Sequence, residues 1–518
     1  MSPALLFTFV IGYFLLLLGV AWRTSRHSNN ESFFIGNRNS NWMLVAFGMI
    51  GTTLSGVTFV SVPGTVGDYA GTAFKAFSYF QVVIGYWFGY LVIAFVLLPL
   101  YYRLHLTSIY NYLQTRFGNT AYRTGALFFI ISRTVGATAR LYLVINVLHI
   151  FILKDLGVPF WLTSFVILLM ILLYTFEGGV KTIVYTDTLQ TTFMLLGLVV
   201  CTVYILQHLN LSFGQAFQAL EAKGYTHMFN TDIRSKGYFG KQFLGGMFIA
   251  IAMTGLDQEM MQKNISVKNL GDSKKNVVSF SIIMVLVSTL FLFLGGLLYL
   301  YAQDKGAVYQ DQLVNGHVVH QLVLDKGLPG GEKYQMIGDD LFPTMALHVL
   351  PRAVSIIFII GLISALFPSA DGALTALTSS FCIDLLDLKN RPGWSEEQKR
   401  RTRLIVHVSF AVLFLLCIGI FKWINNKSVV TIILDLAGYT YGPLLGLFAF
   451  GIFSRRNLPD NGLVTVVCLL APTICYFLSQ HAAQWFGGFQ IGIELLLIDG
   501  ILTYLGLLLL SKKGAIAN

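Results

Sequence analysis

The sequence predicts an all-α polytopic membrane protein of about thirteen transmembrane helices. Three observations carry that prediction. Of the 518 residues, 55% are apolar and only 12% are charged, whereas a soluble domain averages roughly 25% charge. The apolar residues fall in runs of about twenty, the length of a helix that crosses a bilayer. No long charged segment separates the runs, so the chain reads as a single transmembrane domain over 1–518. A soluble enzyme, a disordered chain and a disulfide scaffold are excluded by the same composition. Cys201, Cys382, Cys417, Cys468 and Cys475 all lie in apolar runs with no Cys-x-x-Cys spacing. They read as small buried side chains.

In chain order the runs are 4–22, 41–66, 74–101, 124–153, 158–178, 185–207, 239–262, 276–302, 352–384, 402–423, 428–453, 462–484 and 489–511. The first has no basic residue before it and no small-residue cleavage site after it; Arg23 and Arg26 follow instead. It reads as a retained helix with its N-terminus outside. With that orientation most of the 35 Lys and Arg fall after odd-numbered runs, on the inner face, Lys263 among them. The C-terminus is then cytoplasmic. The net charge of +10 is topology rather than a nucleic-acid footprint. The expected location is the plasma (inner) membrane, crossed many times. The longest polar stretch, 303–351, reads as an outer loop, and His317 and His320 within it as solvated rather than metal-binding. No phosphate loop, His-Glu-x-x-His or Gly-x-Ser-x-Gly occurs, which removes ATP-driven pumping and common hydrolases.

Polar residues inside the runs mark candidate sites. In the second run Gly48, Gly51 and Gly56 bracket Thr52, Thr53 and Ser55. Glycine tolerates unwound backbone, and hydroxyls satisfy freed peptide groups. An unwound stretch exposes carbonyls that hold a small cation; the same pattern also suits a small-residue packing face. Phe77 and Gln81 in the third run share a helix face. Gln81 requires a polar partner, either a neighbouring helix or a ligand. Arg133 and Arg140 lie in the fourth run, and arginine at that depth faces a bundle interior or cavity. Its planar fork suits a solute carboxylate or an internal salt bridge. Asp187 and Asp371, in the sixth and ninth runs, lie near the inner face and can meet. Two carboxylates there need a cation, a shared proton or an arginine. Pro368 frees the carbonyl of Ser364, and Ala365, Ser369 and Gly372 keep that helix face narrow.

Four segments, in order, carry a resemblance: Glu31-Ser-Phe-Phe-Ile-Gly-Asn-Arg38, Tyr185-Thr-Asp-Thr-Leu-Gln190, Asp257-Gln-Glu-Met-Met-Gln262 and Tyr441-Gly-Pro-Leu-Leu-Gly446. Together with the second run they resemble the sodium:solute symporter family over nearly the whole chain. The resemblance implies a LeuT-like fold. A leading helix (4–22) precedes two inverted five-helix repeats (41–207 and 239–453) and two trailing helices (462–511). It implies a main sodium site made by the carbonyls of Gly51, Leu54 and Ala365 and the hydroxyl of Ser369. Pro368 stands where a second hydroxyl is expected. A further cation position falls on Asp187, with Asp371 in place of a serine. The pocket pattern of the family's sialic acid branch falls on Thr53, Ser55, Thr58, Phe77, Gln81 and Arg133. The second run and Arg103-Leu-His-Leu-Thr-Ser-Ile-Tyr110 are similar to the iodide and multivitamin carriers.

The implied function is a sodium-coupled secondary symporter importing a small organic solute, carboxylate-bearing: sialic-acid-like or another organic anion. A proton-coupled, sugar or amino-acid symporter of the same fold is the near alternative, and a membrane sensor with a transporter fold the distant one. No enzyme activity and no cofactor are expected, sodium being the coupling ion. The expected partners are the solute, sodium and the lipid bilayer, with no nucleic acid and no obligate protein partner.

Overall fold

Peptide groups in a bilayer have no water to bond, so each apolar run closes its hydrogen bonds internally as a helix. The computed structural model describes residues 3–25, 33–34, 38–67, 74–154, 156–176, 179–314, 317–325, 333–336, 338–388, 391–424 and 429–512. The helices at the predicted runs are α1 (Pro3–Ser25), α2 (Trp42–Gly64), α3 (Phe80–Arg103), α4 (Asn119–Leu153), α5 (Phe160–Thr175) and α6 (Gly179–His208). They continue as α7a (Phe239–Gly255), α7b (Gln258–Ile265), α8 (Leu270–Asp304), α9 (Arg352–Leu385) and α10 (Glu396–Ile424). The last are α11a (Val429–Thr440), α11b (Gly442–Phe453), α12 (Leu463–Trp485) and α13 (Leu495–Leu510). Among the described residues, 8 helices are long and apolar enough to cross a membrane, or 10 if each bent pair is one span. The bends are 64° between α7a and α7b and 45° within α11. The apolar parts of α1, α5 and α13 are shorter, so length and composition support fewer spans than the sequence predicts. The 16 residues of α5 rise only about 24 Å, short of the ~30 Å hydrocarbon core.

Helix α9 lies at the centre, packed on α2, α4 and α6, while α7a runs along α3 and α8 along α2. Lipid tails are as apolar as leucine, so helices in a bilayer associate through close packing of small residues. The α3–α7a seam shows this. A β-carbon on Gly246 would lie 2.5 Å from the Val82 carbonyl oxygen, and one on Gly85 would run into that of Phe243. Gly85→Val should therefore push α3 off α7a at a cost of about 1–3 kcal/mol, the usual range for overpacking. The check is the melting midpoint in detergent; an unchanged midpoint would show that the seam opens freely.

The stretch expected as an outer loop is partly a sheet. Val308–Val314, His317–Asp325 and Lys333–Met336 form three antiparallel strands, β1 to β3, in sequence order. Val308 stands opposite Val323, and Leu322 opposite Met336. Leu322, Val323 and Leu324 are buried, so a short apolar stretch anchors strands whose remaining residues give the segment its polar composition. The polar stretch after α6 holds a helix, Phe213–Ala222, started by a reciprocal Ser212–Gln215 capping box.

Candidate functional site

The site starts from a failure of the helical ladder. Ser55, inside α2, has φ 54° and ψ −178°. That conformation is nearly reserved for glycine and costs about 1–3 kcal/mol in other residues. The carbonyls of the preceding turn, from Gly51 to Leu54, are those whose i+4 partners lie at or beyond such a break. Gly56 follows, and a β-carbon there would stand 3.7 Å from the carbonyl oxygen of Ala365 on α9. The break thus lies in van der Waals contact with α9 and packs tightly on Val144 of α4. One turn further along α9, the buried Ser369 hydroxyl donates to the Leu366 carbonyl at 2.9 Å, leaving its oxygen lone pairs open. Pro368 is accommodated inside α9 without ending it.

A cavity opens beside the break. Its walls include Thr53, Ser55 and Thr58 of α2, Tyr79 just before α3, and Tyr86 and Tyr90 on it. Arg133 and Arg140 of α4, Thr254 of α7a and Ile433 of α11a complete them. Three tyrosines and several hydroxyls face an aliphatic side that includes Ile249, Met253, Met284 and Leu434. Thr53 Oγ1 is buried with no hydrogen-bond partner among the described residues. A buried polar atom left so is costly unless a ligand or water meets it.

Below the cavity lies a fully buried charge network, organised by the α7 bend. Asp257 caps α7b: Oδ1 accepts the N–H of Glu259 at 2.9 Å and of Met260 at 3.3 Å. Its Oδ2 accepts the Tyr441 hydroxyl at 2.9 Å and stands 3.8 Å from the Arg133 guanidinium. Arg133 pairs directly with one carboxylate oxygen of Glu259, whose other oxygen is 3.4 Å from Lys263 Nζ. Lys263 Nζ donates to Asp187 Oδ2 at 2.7 Å and to Thr52 Oγ1 at 2.9 Å. The Thr52 hydroxyl in turn donates to Asp187 at 3.1 Å. None of these five charged side chains is more than 4% exposed. Charges survive such burial only when paired and hydrogen-bonded.

The sodium:solute symporter family profile matches residues 33–463. The chain belongs to the sodium:solute symporter family. It is 22% identical over 512 residues to the sodium/sialic acid symporter NanT of Aliivibrio fischeri, covering 94% of this chain and 90% of that one. It is 25% identical over 487 residues to a sodium-dependent multivitamin transporter of Oryctolagus cuniculus, covering 92% and 69%. Among solved structures, the substrate-bound outward-open state of a Na+-coupled sialic acid symporter superposes with a TM-score of 0.78 at 19% identity, over 98% of this chain and 99% of that one. Mhp1, a nucleobase-cation-symport-1 family transporter, superposes at 0.52 with 12% identity, over 93% of each. The fold is that of LeuT-like secondary transporters, and the protein is a symporter rather than an enzyme.

For this symporter the site residues named from sequence divide in two. Thr53, Ser55, Thr58 and Arg133 do line one cavity, and Leu54 borders it. Phe77 and Gln81 do not. Helix α3 begins only at Phe80, so the two share no helix face. The Phe77 N–H donates to the His227 carbonyl at 3.1 Å. Gln81 Nε2 donates to the carbonyls of Ser78 and Gly237 at 3.1 and 3.2 Å, and its Oε1 accepts the Asn230 N–H at 3.1 Å. Its polar partner is the segment 230–237, and the tyrosines take its place at the cavity. Arg133 is present but already bound by Glu259. Asp187 and Asp371 share no direct partner. Asp187 holds Lys263, while Asp371 accepts the Tyr174 hydroxyl at 2.7 Å and the Gly372 N–H at 2.5 Å.

Lys263, which the sequence places on an inner loop, is buried instead. Its signal lies in the i,i+4 spacing from Glu259 on a half-helix capped by Asp257. The surrounding glutamines have structural partners as well. Gln258 accepts the Ile109 N–H at 2.9 Å and donates to the Thr107 carbonyl at 3.2 Å. Gln262 donates to the Phe34 carbonyl and, at 3.3 Å, to Ser379 Oγ on α9.

Proposed function

We propose that this sodium:solute symporter imports a small carboxylate-bearing solute, sialic-acid-like in the first instance. Arg140 carries the reading. It lines the cavity half-buried, with no ion pair or hydrogen bond among the described residues. Beside it stand the hydroxyls of Thr53, Ser55 and Thr58. A guanidinium and hydroxyls in a cavity lined by tyrosines and aliphatic side chains suit a polyhydroxylated acid. The names of the sialic acid symporters among its relatives support the same class. In this reading sodium binds at the α2 break, on the carbonyls of Gly51, Leu54 and Ala365 and the hydroxyl of Ser369. Its binding would fix the broken segment and so favour the solute-binding state. The repeats 41–207 and 239–453 would then rock about the broken helices α2 and α7. In this reading the basic segments face the cytoplasm, which would leave the N-terminus outside and the C-terminus inside.

The test is uptake into proteoliposomes of labelled sialic acid, other small acids and neutral sugars, with and without an inward sodium gradient. Sodium-driven accumulation of an acid is expected; accumulation of neutral solutes alone would end the carboxylate reading. Ser369→Ala should raise the sodium needed for half-maximal uptake roughly tenfold, since a bond to a charged group is worth about 1.5–3 kcal/mol. An unchanged sodium requirement would remove Ser369 from the site.

A further inference from the structure

We infer that Lys263 is a built-in cation: its ammonium takes the place beside Asp187 where a second coupling ion would sit, so the symporter couples a single sodium, bound at the α2 break. This rests on the sodium-coupled reading and specifies its ion count. The ammonium stands 2.7 Å from Asp187 Oδ2, 2.9 Å from Thr52 Oγ1 and 3.4 Å from Glu259 Oε1. These are two carboxylate oxygens and a hydroxyl, contributed by α6, α2 and α7b. Hard oxygen donors of that kind also suit an alkali cation.

Several observations favour the lysine over a mobile ion. Lys263 is 4% exposed and Asp187 1%, so the pair has no water to fall back on, and breaking it would strand a buried charge. A tethered ammonium also acts at a far higher effective concentration than free sodium. A sodium ion on the same oxygens would stand next to the ammonium, where two like charges repel strongly. The neighbouring acids do not call for another cation. Glu259 is held by Arg133, and Asp257 by the α7b N–H groups and Tyr441. Asp371 is held by Tyr174 and its own helix. Lys263 rides on α7b, whereas Thr52 and Asp187 sit on α2 and α6. The countercharge therefore joins a broken helix of one sequence half to two helices of the other.

The experiment compares wild type, Lys263→Met, Lys263→Arg and Lys263→Met/Asp187→Asn in proteoliposomes and in detergent. It reads the labelled-sodium to solute flux ratio, the steepness of sodium activation, and the rise in melting midpoint on replacing choline with sodium. Wild type and Lys263→Arg should move one sodium per solute with non-cooperative activation. Lys263→Met vacates the oxygen cage; it should gain a second sodium per cycle or, if transport is lost, a larger sodium-dependent rise in midpoint than wild type. Adding Asp187→Asn should abolish that gain. A wild-type ratio of two sodium ions per solute would overturn the inference while leaving symport intact. So would a Lys263→Met protein with the wild-type ratio and the wild-type midpoint response. Wild-type uptake indifferent to sodium would instead overturn the symport reading. The wild-type ratio needs no variant to fold.

Discussion

Arg133→Met should destabilise the protein by about 3–5 kcal/mol, the range for removing one partner of a buried ion pair. Arg133 is 3% exposed, bound to Glu259 and 3.8 Å from Asp257. Its removal leaves those carboxylates, two residues apart at the α7 bend, sharing Lys263 and the Tyr441 hydroxyl. Neither can reach water, so α7b should lose its position against α4 and α11. The expected result is a melting midpoint lowered by many degrees and loss of transport for acidic and neutral solutes alike. Arg133→Met/Glu259→Met should recover most of the stability, because an apolar pair of similar volume replaces the buried charges without stranding one. If Arg133→Met instead keeps its midpoint and loses only acidic solutes, Arg133 is the solute ligand and its pairing with Glu259 is dispensable.

Arg133 also shows where sequence reasoning reaches its limit. The α2 break was legible because its cause is local: glycines and hydroxyls within one turn of Ser55 permit the chain to leave the helix. Asp187 was legible as a residue in need of a positive neighbour because a carboxylate inside an apolar run is costly without a countercharge beside it. The neighbour itself was not legible. Lys263 is 76 residues away, at the edge of an apolar run, and so resembled an ordinary inner-loop lysine. Arg133 presented the same difficulty, with Glu259 lying 126 residues off. Helical periodicity says which side chains share a face but not which faces meet. Gln81 failed for a different reason: an apolar run begins before its helix does, and the intervening turn is held by an outer segment that hydropathy reads only as polar. The same blindness hid the strands at 308–336.

Arg140→Met should produce the opposite pattern to Arg133→Met. The two arginines are seven residues apart on α4, two turns and roughly 10 Å along the axis, and so on nearly the same face. One is consumed by Glu259; the other opens on the cavity with no ion pair or hydrogen bond among the described residues. Arg140 makes no direct ion pair among the described residues, and Glu259 and Asp257 act on it only at longer range, so the melting midpoint should fall far less than for Arg133→Met. What disappears is the guanidinium available to a solute carboxylate, a charged contact worth about 1.5–3 kcal/mol. At about 1.4 kcal/mol per tenfold, uptake of an acidic solute at low concentration should fall roughly 10–100-fold. A neutral solute carried at all should be carried as before. Arg140→Lys retains a positive charge but not the planar fork, so it should recover only part of the loss. The deciding measurement is competition: an excess of the free acid should inhibit wild type strongly and Arg140→Met weakly, while its amide should inhibit both equally. Equal inhibition of the two proteins by the acid would detach the carboxylate from Arg140. It would also leave the cavity without an open positive group, since Arg133 cannot leave Glu259 without exposing a buried charge of its own.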